Sequence, residues 1–249
     1  MKKVISFYLK IFLFTGIFAM VLGGIFQNIE GNEIINGLLL TMGVQLSPMF
    51  AFLVTKKKTK DNIIFKFKTD KWFILSILMP ILIFSITALI LSFIGIKYQS
   101  TEYIGITLII AILTIIIGSV GEEIGWRGYL QNELNKEYSL FVSSAVTGLM
   151  WGAWHFFKIM NNGIISYLLF IPTIFLFGII MGYIYNKSNK SLVNMIAFHS
   201  FVNLSTILML FNRECNTFYI TLTIVNLIVI FVLWLNDREY FKLKRESVD

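Results

Sequence analysis

What this chain has least of is charge. Only 14% of its 249 residues are Asp, Glu, Lys or Arg, against about 25% in soluble domains. That is too little to solvate a globular surface of this size, so a soluble domain is excluded. Cysteine is nearly absent: Cys215 stands alone, which rules out a disulfide framework within one chain. Histidine occurs only at His155 and His199, and proline only at Pro48, Pro80 and Pro172. There is no His-Glu-x-x-His pair and no Gly-x-Ser-x-Gly elbow. The sequence therefore offers neither the helix-borne zinc motif of many metalloproteases nor the nucleophile turn of α/β-hydrolases. Internal repeats and low-complexity segments are missing too.

What is present is apolar. Hydrophobic residues make up 57% of the chain, above the roughly 45–50% of soluble domains. A helix needs about 20 apolar residues to cross a bilayer core, and eight segments qualify: 4–27, 33–55, 72–96, 104–126, 139–157, 164–186, 190–211 and 217–236. The expected fold is all-α, a polytopic membrane helix bundle of about eight spans. Residues 1–249 form one membrane domain, with 237–249 as a cytoplasmic tail. All three prolines fall inside spans, where they are expected to kink the second, third and sixth. Met1-Lys2-Lys3 before an apolar run imitates a secretory signal. The run exceeds the roughly 7–15 residues of a signal core, so it reads as an uncleaved first span.

Basic residues orient this bundle. Sixteen fall on the face of the termini and only Lys97, Lys158 and Arg213 on the other; Lys10 and Arg127, inside spans, complete the 21. The positive-inside rule places both termini in the cytoplasm. A basic face against anionic lipid accounts for the net charge of +7, and nothing points to nucleic acid. The Lys- and Phe-rich stretch 56–71 reads as a solvated loop or an interfacial amphipathic segment. Cys215 falls in an outer loop.

Against this background the run Gly121-Glu122-Glu123-Ile124-Gly125-Trp126-Arg127 stands out. An ionisable residue at mid-span costs about 2.5–3.5 kcal/mol on insertion scales, so such residues usually face a polar cavity and carry function. Glu123 and Arg127, four apart, suit a salt bridge. Gly118, Gly121, Gly125 and Gly128 form a small-residue stripe that admits another helix closely. Glu122 borders that stripe. It loses water near Trp126 without gaining a fixed counter-charge, the setting of a general base.

His155 shares a face with Gly148, Trp151 and Gly152. A polar turn at 132–139 would fold the fourth and fifth spans into a hairpin that brings Glu122 level with His155. Glycine faces on both helices would then let them share one water. This register requires the fourth helix to continue past Arg127 toward Leu134. His199, Asn203 and Thr206 recur at i, i+4 and i+7 as one polar line. At 1.5 Å per residue His199 lies about 14 Å beyond Lys190, a depth that suits a cavity open to the cytoplasm. Glu122, His155, His199 and Asn203 together supply a base, two imidazoles and an amide. These are the groups needed to add water to a peptide carbonyl and hold the oxyanion that forms.

The three motifs Glu-Glu-x-x-x-Arg (Glu122, Glu123, Arg127), aromatic-x-x-x-His (Trp151, His155) and His-x-x-x-Asn (His199, Asn203) resemble those of the CPBP family. That family, also called Abi, comprises the CAAX proteases and bacteriocin-processing enzymes. The resemblance covers roughly 100–210, with the motifs inside 118–206, and departs at Trp151, where the family usually has phenylalanine. It implies an intramembrane endopeptidase of the type II CAAX prenyl protease kind, without a cofactor, acting on a membrane-associated peptide or protein. Glu122 with His155 would activate water, His199 and Asn203 would donate to the oxyanion, and Glu123, Arg127 and Trp151 would support them. Zinc on Glu122, His155 and His199 is the alternative mechanism. Rival classes are a non-catalytic immunity or regulatory protein for a bacteriocin or signalling peptide, and a small proton-coupled transporter.

Overall fold

The computed structural model describes residues 1–27, 32–55, 70–96, 101, 103–208 and 216–244. The expectations for residues 56–69 and for Cys215 lie outside the described residues. Where lipid excludes water, the backbone must bond to itself, and helices do so within one segment. The described residues form helices α1 (Lys2–Gln27), α2 (Glu33–Gln45), α3 (Ser47–Thr55), α4 (Lys71–Phe93) and α5 (Ile106–Gly125). A π-helical turn (Trp126–Gln131) and the short α6 (Asn132–Leu134) continue α5. Then come α7 (Leu140–Trp154), a 3-10 turn (His155–Phe157), α8 (Lys158–Lys187), α9 (Leu192–Leu208) and α10 (Asn216–Asn236), with no strand among the described residues. Among the described residues seven stretches are long and apolar enough to span a bilayer, and Leu192–Leu208 adds a shorter one.

Local chemistry sets the helix starts. Asn32 accepts from the amides of Ile34 and Ile35, Asp70 from those of Trp72 and Phe73, and Ser139 from that of Val142, each an N-cap for otherwise orphaned donors. The second span breaks at Leu46, between α2 and α3. Pro48 has no N–H to give to the carbonyl of Val44; the Ser47 hydroxyl donates to that carbonyl instead, at 2.7 Å. Helices α4 and α8 run on through Pro80 and Pro172, while the break in α8 falls at Gly163, whose φ of 77° suits glycine.

The helices alternate in direction. Ion pairs Met1–Glu137 and Lys187–Asp237 and the Asn132–Tyr185 hydrogen bond gather one end of the bundle, here the terminal end. Trp154–Thr15 and Ser166–Asn216 tie helices together toward the far end. The outer faces of the spans are apolar and exposed, as at Leu78, Leu82, Ile86 and Leu89 along α4.

Glycine sets two close contacts, and they differ from the sequence expectation. Gly118, Gly121 and Gly125 of α5 receive Gln45, Leu46 and Pro48 at the α2–α3 break. Gly148 of α7 meets Phe175 and Gly178 of α8, with Gly152 over Ile171. The two glycine faces therefore do not meet each other; each took a different partner. A Cβ at Gly148 would lie 2.7 Å from the carbonyl oxygen of Phe175 and 3.0 Å from Cα of Gly178. Gly148→Ala is expected to lower stability by about 1–3 kcal/mol, read as a lower melting temperature in detergent. An unchanged value would mean that α7 and α8 are looser than described.

Candidate active site

Helix α5 and its π-turn extension, α7 and α9 supply the polar side chains. The fourth span runs to Leu134, as the hairpin register required, rather than ending at 126. Glu122, Glu123 and Arg127 are fully buried, with exposures of 1%, 0% and 0%. Arg127 Nη1 donates to both oxygens of Glu123, at 2.9 and 3.0 Å. The guanidinium also lies over the Trp151 ring, 4.8 Å from its centroid, so an ion pair and an aromatic face both offset its loss of water.

Glu123 does more than the structural work expected of it. Its Oε1 accepts from His199 Nδ1 at 2.8 Å. With Nδ1 donating there, the ring turns its Nε2 toward Glu122, whose Oε1 is 4.0 Å away. That separation is too long for a hydrogen bond and suits one bridging water. The other oxygen of Glu122 accepts from the Trp151 indole N–H at 2.7 Å.

The expected pairing of Glu122 with His155 takes a different form. No hydrogen bond or ion pair joins them, and His199 is the imidazole beside Glu122. Trp151 mediates: its ring lies 6.0 Å from His155 and 5.0 Å from His199, centroid to centroid. His155 falls in the 3-10 turn just past α7, and its Nδ1 donates to the carbonyl of Trp151 at 2.8 Å. A carbonyl only accepts, so the proton sits on Nδ1 and Nε2 is left unengaged. Asn203 makes no side-chain hydrogen bond among the described residues, while Thr206 donates back to the carbonyl of Val202.

One cavity of about 840 Å³ brings these groups together. Glu122, Trp151, His155, His199, Asn203 and Thr206 all line it. Most of the remaining wall is apolar, including Phe12, Phe84, Phe170, Phe177 and Leu222. Among the described residues no three His, Cys, Asp or Glu side chains are grouped so as to hold a metal ion. Nδ1 of each imidazole is engaged, by the Trp151 carbonyl for His155 and by Glu123 for His199, which turns each Nε2 toward the chamber chemistry.

Some of the site was not anticipated. Asn132 Nδ2 donates to the carbonyls of Arg127 and Gly128, both at 3.1 Å, and to Tyr185 Oη at 2.9 Å. It thereby pins the π-helical turn, an element often found at functional sites. Beneath it, Ser144 accepts from Gln131 at 3.0 Å and from Tyr240 at 2.8 Å. Tyr240 follows the last helix, and burial pushes its phenol above the ordinary range. The polar turn at 132–139 hinted at Asn132; nothing in the local sequence signals Tyr240.

Residues 104–205 match the family model described as type II CAAX prenyl endopeptidase Rce1-like. The matched segment contains both carboxylates, both histidines and Asn203. Over this stretch the chain is similar to the CAAX proteases. The chain is also similar to CAAX prenyl protease 2 of Methanococcus maripaludis, 30% identical over 125 residues, which is 46% of this chain and 44% of that protein. It thus aligns with less than half the length of this curated relative. Trp151 allows a separate test, because it touches Glu122, Arg127 and both imidazoles. Trp151→Phe keeps the ring and removes the N–H. A hydrogen bond to a charged group contributes about 1.5–3 kcal/mol, so cleavage is expected to fall roughly 10- to 100-fold at unchanged melting temperature. Full activity would show that the indole N–H does not position Glu122.

Proposed function

We propose that this chain is an intramembrane endopeptidase that uses Glu122 as the base and no metal. The observation that supports it best is the 4.0 Å gap between Glu122 Oε1 and His199 Nε2 on the wall of a largely apolar chamber. A water in that gap gives a proton to Glu122 as its oxygen attacks the peptide carbonyl. His155 Nε2 orients that water. Carrying a proton on Nε2 as well as on Nδ1, His199 donates with Asn203 to the oxyanion, and such a donor contributes about 10²–10³ in rate. Collapse of the tetrahedral intermediate breaks the C–N bond. Glu122 returns the proton to the leaving nitrogen, giving a carboxylic acid and an amine.

The substrate in this reading is a membrane-associated peptide or protein, met within a multi-pass protein of the cell membrane whose termini lie in the cytoplasm. Peptide maturation and bacteriocin-linked immunity are roles that such an enzyme would serve. Protein reconstituted in lipid and stripped with chelator is expected to cut apolar peptides at the untreated rate. Loss of cleavage on chelation, with recovery on adding zinc, would overturn the metal-free mechanism. Failure to cut any peptide in a well-folded preparation would favour the non-catalytic immunity protein.

A further inference from the structure

The chamber is one-sided. Its lining comes from the far-end half of the helices: Phe12 to Ala19 of α1, Leu38 to Gln45 of α2, Ala111 to Glu122 of α5, and the stretch from Trp151 to Met160. Among the described residues none from 46–83, 123–150, 178–198 or 223–244 lines it. Its wall reaches Tyr103, Met160 and Phe218 at the far end, and Met160 is 86% exposed.

Toward the opposite end the described residues close it. Between Glu122 and the terminal end lie Trp126, Leu130 and Leu134, at most 2% exposed, then Tyr240 bonded to Ser144. From Glu122 to Leu134 the chain climbs about 18 Å at 1.5 Å per residue, so this plug is thick. The basic side chains divide the same way. Lys2, Lys3, Lys136, Lys187, Arg238 and Lys242 mark the terminal end, and Lys158 is the one described at the far end. The positive-inside rule makes the terminal end cytoplasmic. The chamber then faces away from the cytoplasm, contrary to the sequence expectation. The 14 Å depth of His199 gave its level but not the direction in which the hollow extends.

We propose that substrate enters from the non-cytoplasmic face, as an apolar peptide segment that has crossed the membrane or is anchored with its scissile bond on that side. The reaction class that supplies it is translocation, and the cut comes after export. The assignment rests on the endopeptidase reading for its chemistry and on the charge distribution for its sidedness.

Cysteine labelling tests the sidedness without any need for activity. In a Cys215→Ser background, Met160→Cys marks the chamber mouth, and Glu239→Cys, whose native side chain is 71% exposed, marks the terminal end. A membrane-impermeant maleimide is expected to label Met160→Cys in right-side-out vesicles and Glu239→Cys in inside-out ones. The reverse pattern would overturn the proposal. An impermeant quenched peptide with an apolar centre is expected to be cut by right-side-out vesicles and not by inside-out ones. Cutting by inside-out vesicles alone would also overturn it. If neither orientation cuts while labelling follows the expected pattern, the sidedness stands and the endopeptidase reading falls.

Discussion

Glu122→Gln is expected to lower peptide cleavage by roughly 10²–10⁴-fold, the usual contribution of a positioned acid–base group, while expression and melting temperature stay near native. The amide keeps the size of the carboxylate, and its oxygen still accepts the Trp151 indole N–H now 2.7 Å from Glu122. The packing is therefore preserved. What is lost is the ability to take a proton from water. Cleavage rate and detergent melting curves, measured on the same preparation, check both halves of the statement. A variant that unfolds would assign Glu122 a structural role, and one that cleaves normally would remove it from the chemistry.

Arg127→Met should have the largest effect on stability. The guanidinium is fully buried and holds both oxygens of Glu123, so its removal strands a buried carboxylate. Breaking a buried pair in this way costs about 3–5 kcal/mol, visible as a large fall in melting temperature. Adding Glu123→Gln removes the stranded charge and is expected to restore much of the stability. Cleavage should nevertheless stay low in the double variant, because His199 Nδ1 then faces a neutral amide instead of the carboxylate it meets at 2.8 Å. A double variant that recovers stability and cleavage together would confine Glu123 to a structural role. A single variant as stable as native would mean that the ion pair carries no weight.

The sequence made the bundle legible because lipid imposes one strong constraint. Long apolar runs must be helices, so seven spans and the shorter Leu192–Leu208 follow from hydropathy, with the fourth span extended to Leu134. The Glu123–Arg127 pair was legible from i, i+4 spacing alone. The hairpin register placed Glu122 level with His155, one turn off: it is Trp151, four residues earlier, whose indole N–H meets Glu122. Which imidazole stands beside Glu122 was not legible. His199 comes from a helix more than 70 residues away, and only tertiary packing sets its rotation. The glycine stripes were visible as small faces, but a stripe does not name its partner, so Pro48 and Gly178 as neighbours emerged only from the fold. The π-helical turn adds a residue per turn locally, a change that periodicity averages away.

Everything chemical depends on one gathering: an acid, two imidazoles and an amide from three separated helices around a single chamber in the bilayer. Comparing membrane-peptide termini in cells making the native chain with those making Glu122→Ala, at matched protein levels, tests that gathering as a protease. New termini cut within or beside apolar segments, present with the native chain and absent with the variant, are the expected result. Identical sets of termini from the two cell populations would contradict the account.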